Sequence, residues 1–304
     1  MATRKSATTA RKPATKKATA RATSTRTKTT VRTTKTTPVA ASSATTPRVH
    51  RVDSTSERFS FSRSPLLAAS IAEFVGTFLL AAVLLASQGS PVYALFGLIA
   101  IVLGIGAVSG AHVNPAITVG AWVTRRVNTA RALSYIGSQI LGAGLALLLF
   151  TAFVSAAPKP EAQQGMTMFG QSPQAAKVFS LPELKKDQGL ILATEMLGTG
   201  LFAFGVASAM RERNRLVIAF GVGGSLFLGL AIASYLSGVS TGVENSAGPA
   251  GLNPAVAAAL EAFKGTSWTN LWPLIVYGFA PAVGAVLGFG LRDLLQSESQ
   301  AETA

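Results

Sequence analysis

From Leu66 onward the chain runs as a series of nearly charge-free apolar stretches broken by short polar segments. The stretches are about 18 to 25 residues long, enough to cross the hydrocarbon of a bilayer as helices. They predict spans over 65–87, 91–110, 129–154, 188–210, 216–238 and 270–291. Two shorter apolar segments fall between them, from Pro115 to about Val123 and from Pro254 to about Phe263, and each is preceded by Asn, giving Asn114-Pro115-Ala116 and Asn253-Pro254-Ala255. Asn favours the N-cap, and Pro is best tolerated in the first turn, where its missing N–H costs nothing. Each triplet therefore predicts a helix start. A helix that starts inside a bilayer must be buried in protein or line a watery cavity.

The two halves resemble each other. Ala72-Glu73-Phe74-Val75-Gly76-Thr77 opens one and Thr194-Glu195-Met196-Leu197-Gly198-Thr199 the other. The third span of each carries small residues, Gly142-Ala143-Gly144 in the first and Gly284-Ala285 with Gly288 in the second. Three spans per half is an odd number, so the second half is inverted in the membrane relative to the first, and a site is expected between the repeats near the midplane. The expected fold is an all-α integral membrane protein of six spans and two re-entrant half-helices. Its expected parts are a basic tail (1–60), a first repeat (61–155), an external loop (156–187), a second repeat (188–292) and a C-terminal tail (293–304).

Composition agrees with this pattern and adds one feature. Mean hydropathy is +0.40 and 13% of residues are charged, as expected of a polytopic helical protein. The chain has no Cys and only His50 and His112 as imidazoles, which excludes a disulfide framework, a thiol nucleophile and a Cys- or His-rich metal site. The net charge of +14 is uneven: residues 1–60 hold 14 Lys and Arg against Asp53 and Glu57, and the rest holds 13 against 11. That first segment, rich in Ala, Thr, Lys and Arg, has too few large apolar side chains to offset chain entropy and is expected to be disordered. It lacks the apolar core of a secretory signal but overlaps in composition with organellar transit peptides. The Arg125/Arg126/Arg131 and Arg211/Arg213/Arg215 loops fall on the tail's side, which the positive-inside rule makes cytoplasmic, in a cell (inner) membrane with both termini inside.

Ser109-Gly110-Ala111-His112-Val113-Asn114-Pro115-Ala116-Ile117-Thr118 closely resembles the first signature of the aquaporin (major intrinsic protein) family. Glu73 and Glu195 match its buried carboxylates, Tyr135 to Ala143 its third span, and Pro281 its sixth. The resemblance covers about 65–292. It implies a passive channel for water or small uncharged solutes such as glycerol, homotetrameric, with one pore per subunit. Two half-helix N-termini facing each other oppose cations while leaving neutral solutes unpenalised, and Asn114 and Asn253 offer amide donors to a passing oxygen. Glu73 and Glu195 are expected to accept backbone N–H bonds from the re-entrant loops. His112 reads as a packed loop histidine and Gln139 as an interhelical hydrogen bonder.

One departure stands out. Most of the family carries Arg directly after the second triplet, in a narrow selectivity filter; here Val256 follows, and no Lys or Arg lies between Arg215 and Lys264. Counting back from Asn114 places Ala94 at the span-two filter position, or Phe96 if a two-residue gap is allowed. Ala250 takes the position before the second triplet and Leu236 the span-five position. The expected constriction is apolar and cation-free. Ala257 stands where glycerol-conducting relatives usually have Asp, and Gly278 replaces an aromatic beside Tyr277, so the subclass stays open. No cofactor and no covalent chemistry are expected. Two rival readings remain: a non-conducting membrane scaffold whose tail binds anionic lipid or nucleic acid, and an alternating-access carrier, which the lack of a mid-membrane titratable pair beyond the two Glu disfavours.

Overall fold

The computed structural model describes residues 65–157, 176–181, 183–184, 188–241 and 250–301, all within one packed unit spanning residues 57–304. The basic tail (1–60), most of the expected external loop and the segment around Glu244 lie outside the described residues.

Among the described residues six helices are long and apolar enough to cross a membrane. In chain order the elements are α1 (Pro65–Ala86), α2 (Pro91–Ser109), the short α3 (Pro115–Val123), α4 (Thr129–Ala156), α5 (Gln188–Ala209), α6 (Arg215–Thr241), the short α7 (Pro254–Ala259), one turn α8 (Trp272–Leu274), a π-helical turn (Ile275–Phe279) and α9 (Ala280–Ala301). Pro in the first turn opens α2, α3 and α7, where it lacks only an N–H that would have no partner anyway.

The packing repeats with the sequence. α1 packs on α2 and α4, and α5 packs in the same way on α6 and α9, while α2 and α6 meet across the pseudo-symmetry axis. The half-helices cross over: α3 lies against α9 of the other repeat, and α7 against α4. Small residues set the α1–α4 and α5–α9 spacing. A methyl group at Gly142 would fall on the backbone carbonyl of Phe74, and one at Gly284 on that of Met196. Phe74 and Met196 each follow the buried Glu of their repeat, so the same close contact is made twice. In lipid, where apolar burial does not drive helices together, such contacts carry much of the association.

Both half-helices end alike. Arg125 (φ 61°) and Glu261 (φ 58°) adopt the left-handed conformation. The next amide donates five residues back, Arg126 N to Ala121 O at 2.7 Å and Ala262 N to Ala257 O at 2.9 Å. This is a Schellman C-cap without its usual Gly. It ends α7 at Ala259, earlier than the expected Phe263. At the other end of the chain, α9 continues to Ala301, through the region expected to be tail, because no Gly or Pro interrupts it between Leu291 and Ala301.

Candidate functional site

The centre of the molecule is built from two short loops and the starts of α3 and α7. Asn114 and Asn253 are extended at the backbone (φ −157° and −148°) and act as N-caps. Asn114 Oδ1 accepts from the amides of Ala116 (2.8 Å) and Ile117 (3.4 Å). Asn253 Oδ1 accepts from Ala255 (3.0 Å) and Val256 (3.3 Å). With the oxygen committed, each amide nitrogen points away from its own helix. Asn114 Nδ2 donates to Leu252 O at 2.9 Å and Asn253 Nδ2 to Val113 O at 2.8 Å. Each amide nitrogen has two hydrogens, so one on each Asn is left for another acceptor.

The carbonyls that receive these bonds belong to residues in a strained conformation. Val113 and Leu252 have φ of 40° and 48°, uncommon for any side chain and a true outlier for a β-branched one. Strain of this kind persists where the surroundings over-determine it, and here the two carboxylates do so. Glu73 accepts from His112 N (2.9 Å) and Val113 N (2.6 Å). Glu195 accepts from Gly251 N (2.6 Å) and Leu252 N (2.7 Å). Both carboxylates are completely buried and hold the same two amides, one and two residues before the Asn.

The first repeat carries an extra polar layer. Gln139 Nε2 donates to Glu73 Oε2 (2.8 Å) and to Thr118 Oγ1 (3.0 Å). Thr118 Oγ1 in turn donates to Asn114 O (3.0 Å) and lies 3.2 Å from His112 Nδ1. Tyr135 donates its hydroxyl proton to Ser109 O at 2.7 Å and meets His112 edge-on. Thr118 escaped the sequence reading; its signal was a hydroxyl four residues after the N-cap in an otherwise apolar half-helix. In the second repeat Pro281 stands where Gln139 does, and the buried Tyr277 hydroxyl has no hydrogen-bond partner among the described residues.

The expected filter residues divide. Val256 and Ala94 are fully buried, and Ala250 is partly buried. Phe96 is 62% exposed; two residues along a helix is a rotation of about 200°, so Ala94 and Phe96 sit on opposite faces of α2. Leu236 lies on the more exposed side of α6. It is 37% exposed beside the outward Ile232, Tyr235 and Val239, whereas Ala233, Ser234 and Ser237 form the buried side of α6 there.

At one end of the helices Asp293 of α9 joins the two repeats, accepting from Arg126 (2.7 Å) and Arg211 (3.2 Å). The Arg126 guanidinium also lies 4.7 Å from the centre of the Phe289 ring. The α3–α4 and α5–α6 loops therefore share one side of the molecule with the end of α9.

Known proteins resemble this chain in sequence and fold. The family model described as major intrinsic protein matches residues 60–291. A glycerol uptake facilitator protein-like 6 of Lactiplantibacillus plantarum is 32% identical over 75% of this chain and 98% of its own. Aquaporin Z of Photorhabdus laumondii is 29% identical over 67% of this chain and 82% of its own. The solved aquaglyceroporin of Plasmodium falciparum superposes with a TM-score of 0.51 at 18% identity, covering 75% of this chain and 96% of that one, a likeness of fold. With six spans, two capped half-helices and this coverage, the chain belongs to the major intrinsic protein family and is a multi-pass membrane channel, passive toward water and small solutes, and not an enzyme.

Proposed function

We propose that this channel conducts water and uncharged solutes of glycerol size through a constriction that lacks a fixed cation. The observation that carries the reading is Val256, the residue directly after the second triplet, in a stretch from 216 to 263 with no Lys or Arg. Ala94 and Ala250 complete a set of small apolar side chains. Such a filter gives up the directed donors of a guanidinium and leaves selection to width and to the asparagine pair. Cation exclusion then rests on the two half-helix N-termini, each equivalent to roughly half a positive charge. A glycerol uptake facilitator among the relatives is in keeping with a solute larger than water.

The same reading takes the functional unit to be a homotetramer in the inner membrane, with the Arg125/Arg126/Arg131 and Arg211/Arg213/Arg215 loops and both termini in the cytoplasm. It takes the basic tail as an arm for anionic lipid or nucleic acid. The channel reading is tested by swelling of proteoliposomes in a graded series of neutral solutes from water to pentitols. Glycerol entry well above that of empty vesicles supports it. Water entry alone would mean that Val256 does not widen the filter, and no entry of either would favour a non-conducting scaffold.

A further inference from the structure

We propose that the open cavity bounded by α3, α4, α7 and the start of α9 holds the terminal segment of a phospholipid acyl chain, pressed against the backs of both Asn-Pro-Ala segments. The cavity measures about 380 Å³ and is lined by Pro115 and Val119 of α3, Ile140 of α4, Pro254 and Ala258 of α7, and Gly278 of the π-helical turn, among other apolar residues. No residue of α1, α2, α5 or α6 lines it, so it lies on the far side of the half-helices from those four spans.

Gly278 is the reason for the space. A methyl group placed there would meet nothing within 4 Å, and the π-helical turn that contains it departs from regular α geometry, as such turns do at functional positions. The volume lies within the range of about 300–1,000 Å³ typical of small-molecule sites. The lining residues are all apolar, so the cavity offers water few hydrogen-bond partners.

Depth and exposure identify the occupant. Pro115 and Pro254 begin the two half-helices whose N-terminal loops exchange hydrogen bonds, so the cavity sits where the half-helices meet. α3 has nine residues, a rise of about 13 Å that reaches roughly half the thickness of the hydrocarbon core. Ile140, close to the middle of α4, is 51% exposed, and Leu133, Leu141, Leu148 and Phe279 are 60–68% exposed. The cavity is thus continuous with the lipid-facing surface at the level of the bilayer centre. Headgroups do not reach that depth; the last carbons of an acyl chain do.

The test uses the full-length protein in phosphatidylcholine vesicles doped with phospholipid carrying a diazirine either at the chain terminus or beside the ester, with labelled residues mapped by mass spectrometry. The expected result is labelling of Val119 and Ala258 by the chain-end probe but not by the ester-side probe. Gly278→Phe should reduce that labelling to background while leaving Leu148 labelled as before. If Gly278→Phe does not fold, Ala282→Leu, which narrows the same cavity, replaces it. Labels confined to Leu133, Leu141 and Leu148, or insensitive to the substitution, would leave the cavity empty and overturn the proposal. Efficient disulfide formation between copies of an Ile140→Cys variant, clean because the chain has no other Cys, would give the site to a second subunit and overturn it as well.

Discussion

Asn114 and Asn253 each donate to the carbonyl just before the other, Asn114 to Leu252 O at 2.9 Å and Asn253 to Val113 O at 2.8 Å. The reciprocity fixes both amide groups. Their oxygens are held by the helix starts and one N–H of each by the opposite repeat, so the remaining N–H has a set direction. A donor pair placed this way can exchange hydrogen bonds with a moving oxygen without reorganising.

Replacing either Asn by Asp removes that cross-repeat donor and sets a carboxylate oxygen against a carbonyl. A buried group left without its partner costs about 1–3 kcal/mol, and the added negative charge offsets the positive helix ends. Asn114→Asp and Asn253→Asp should lower water flux and raise cation leak, read by swelling and by conductance in reconstituted bilayers at matched protein content. Unchanged flux and leak in both variants would remove these residues from the conduction path.

The two buried carboxylates differ in support, and their variants should differ with them. Glu73 accepts from two backbone amides and from Gln139; Glu195 accepts from two backbone amides. In Glu195→Gln the new amide group cannot accept from one of those N–H donors, a loss of about 1–3 kcal/mol. A lower melting temperature in detergent and reduced flux are expected. For Glu73 the double variant Glu73→Gln/Gln139→Glu swaps donor and acceptor and should recover part of the loss of Glu73→Gln, a coupling that a double-mutant cycle measures.

Glycine at the crossings gives a matched pair of outcomes. Gly142→Ala drives a methyl group onto the Phe74 carbonyl, whereas a methyl at Gly144 meets nothing within 4 Å. Backbone cannot yield as a side chain can, and overpacking costs about 1–3 kcal/mol. Gly142→Ala should lower thermal stability clearly and Gly144→Ala should leave it unchanged. Equal effects would mean that the α1–α4 contact is looser than described.

Much of this architecture was readable from the order of residues. Charge-free runs gave the six spans, since crossing the hydrocarbon takes about 20 predominantly apolar residues, and the repeated Glu and Asn-Pro-Ala gave the duplication. What escaped reading depended on rotation and on backbone shape. Phe96 was a filter candidate because a two-residue gap was allowed, yet that gap turns the side chain to the opposite face. Leu236 was placed by counting across a loop of uncertain length. The end of α7 went unseen because Glu261 occupies the left-handed position where Gly would have marked a stop. Thr118 went unseen because only the folded chain brings it to Gln139 and His112.

The Asp293 bridge should matter little to stability. Its carboxylate is 44% exposed, and exposed ion pairs contribute about 0–1 kcal/mol. Asp293→Asn should shift the melting temperature only slightly, with most of that shift gone at high salt. A large, salt-insensitive loss would indicate that the carboxylate holds the two repeats together.

Stopped-flow swelling with water and with glycerol, run side by side on the native channel and on Val256→Arg, tests the proposed filter most directly. A guanidinium after the second triplet narrows the passage and restores directed donors that water can use. The expected result is glycerol entry through the native channel that Val256→Arg suppresses strongly, with water flux reduced much less. A native channel that conducts water quickly and excludes glycerol, with the variant unchanged in that ratio, would contradict a widened, cation-free constriction.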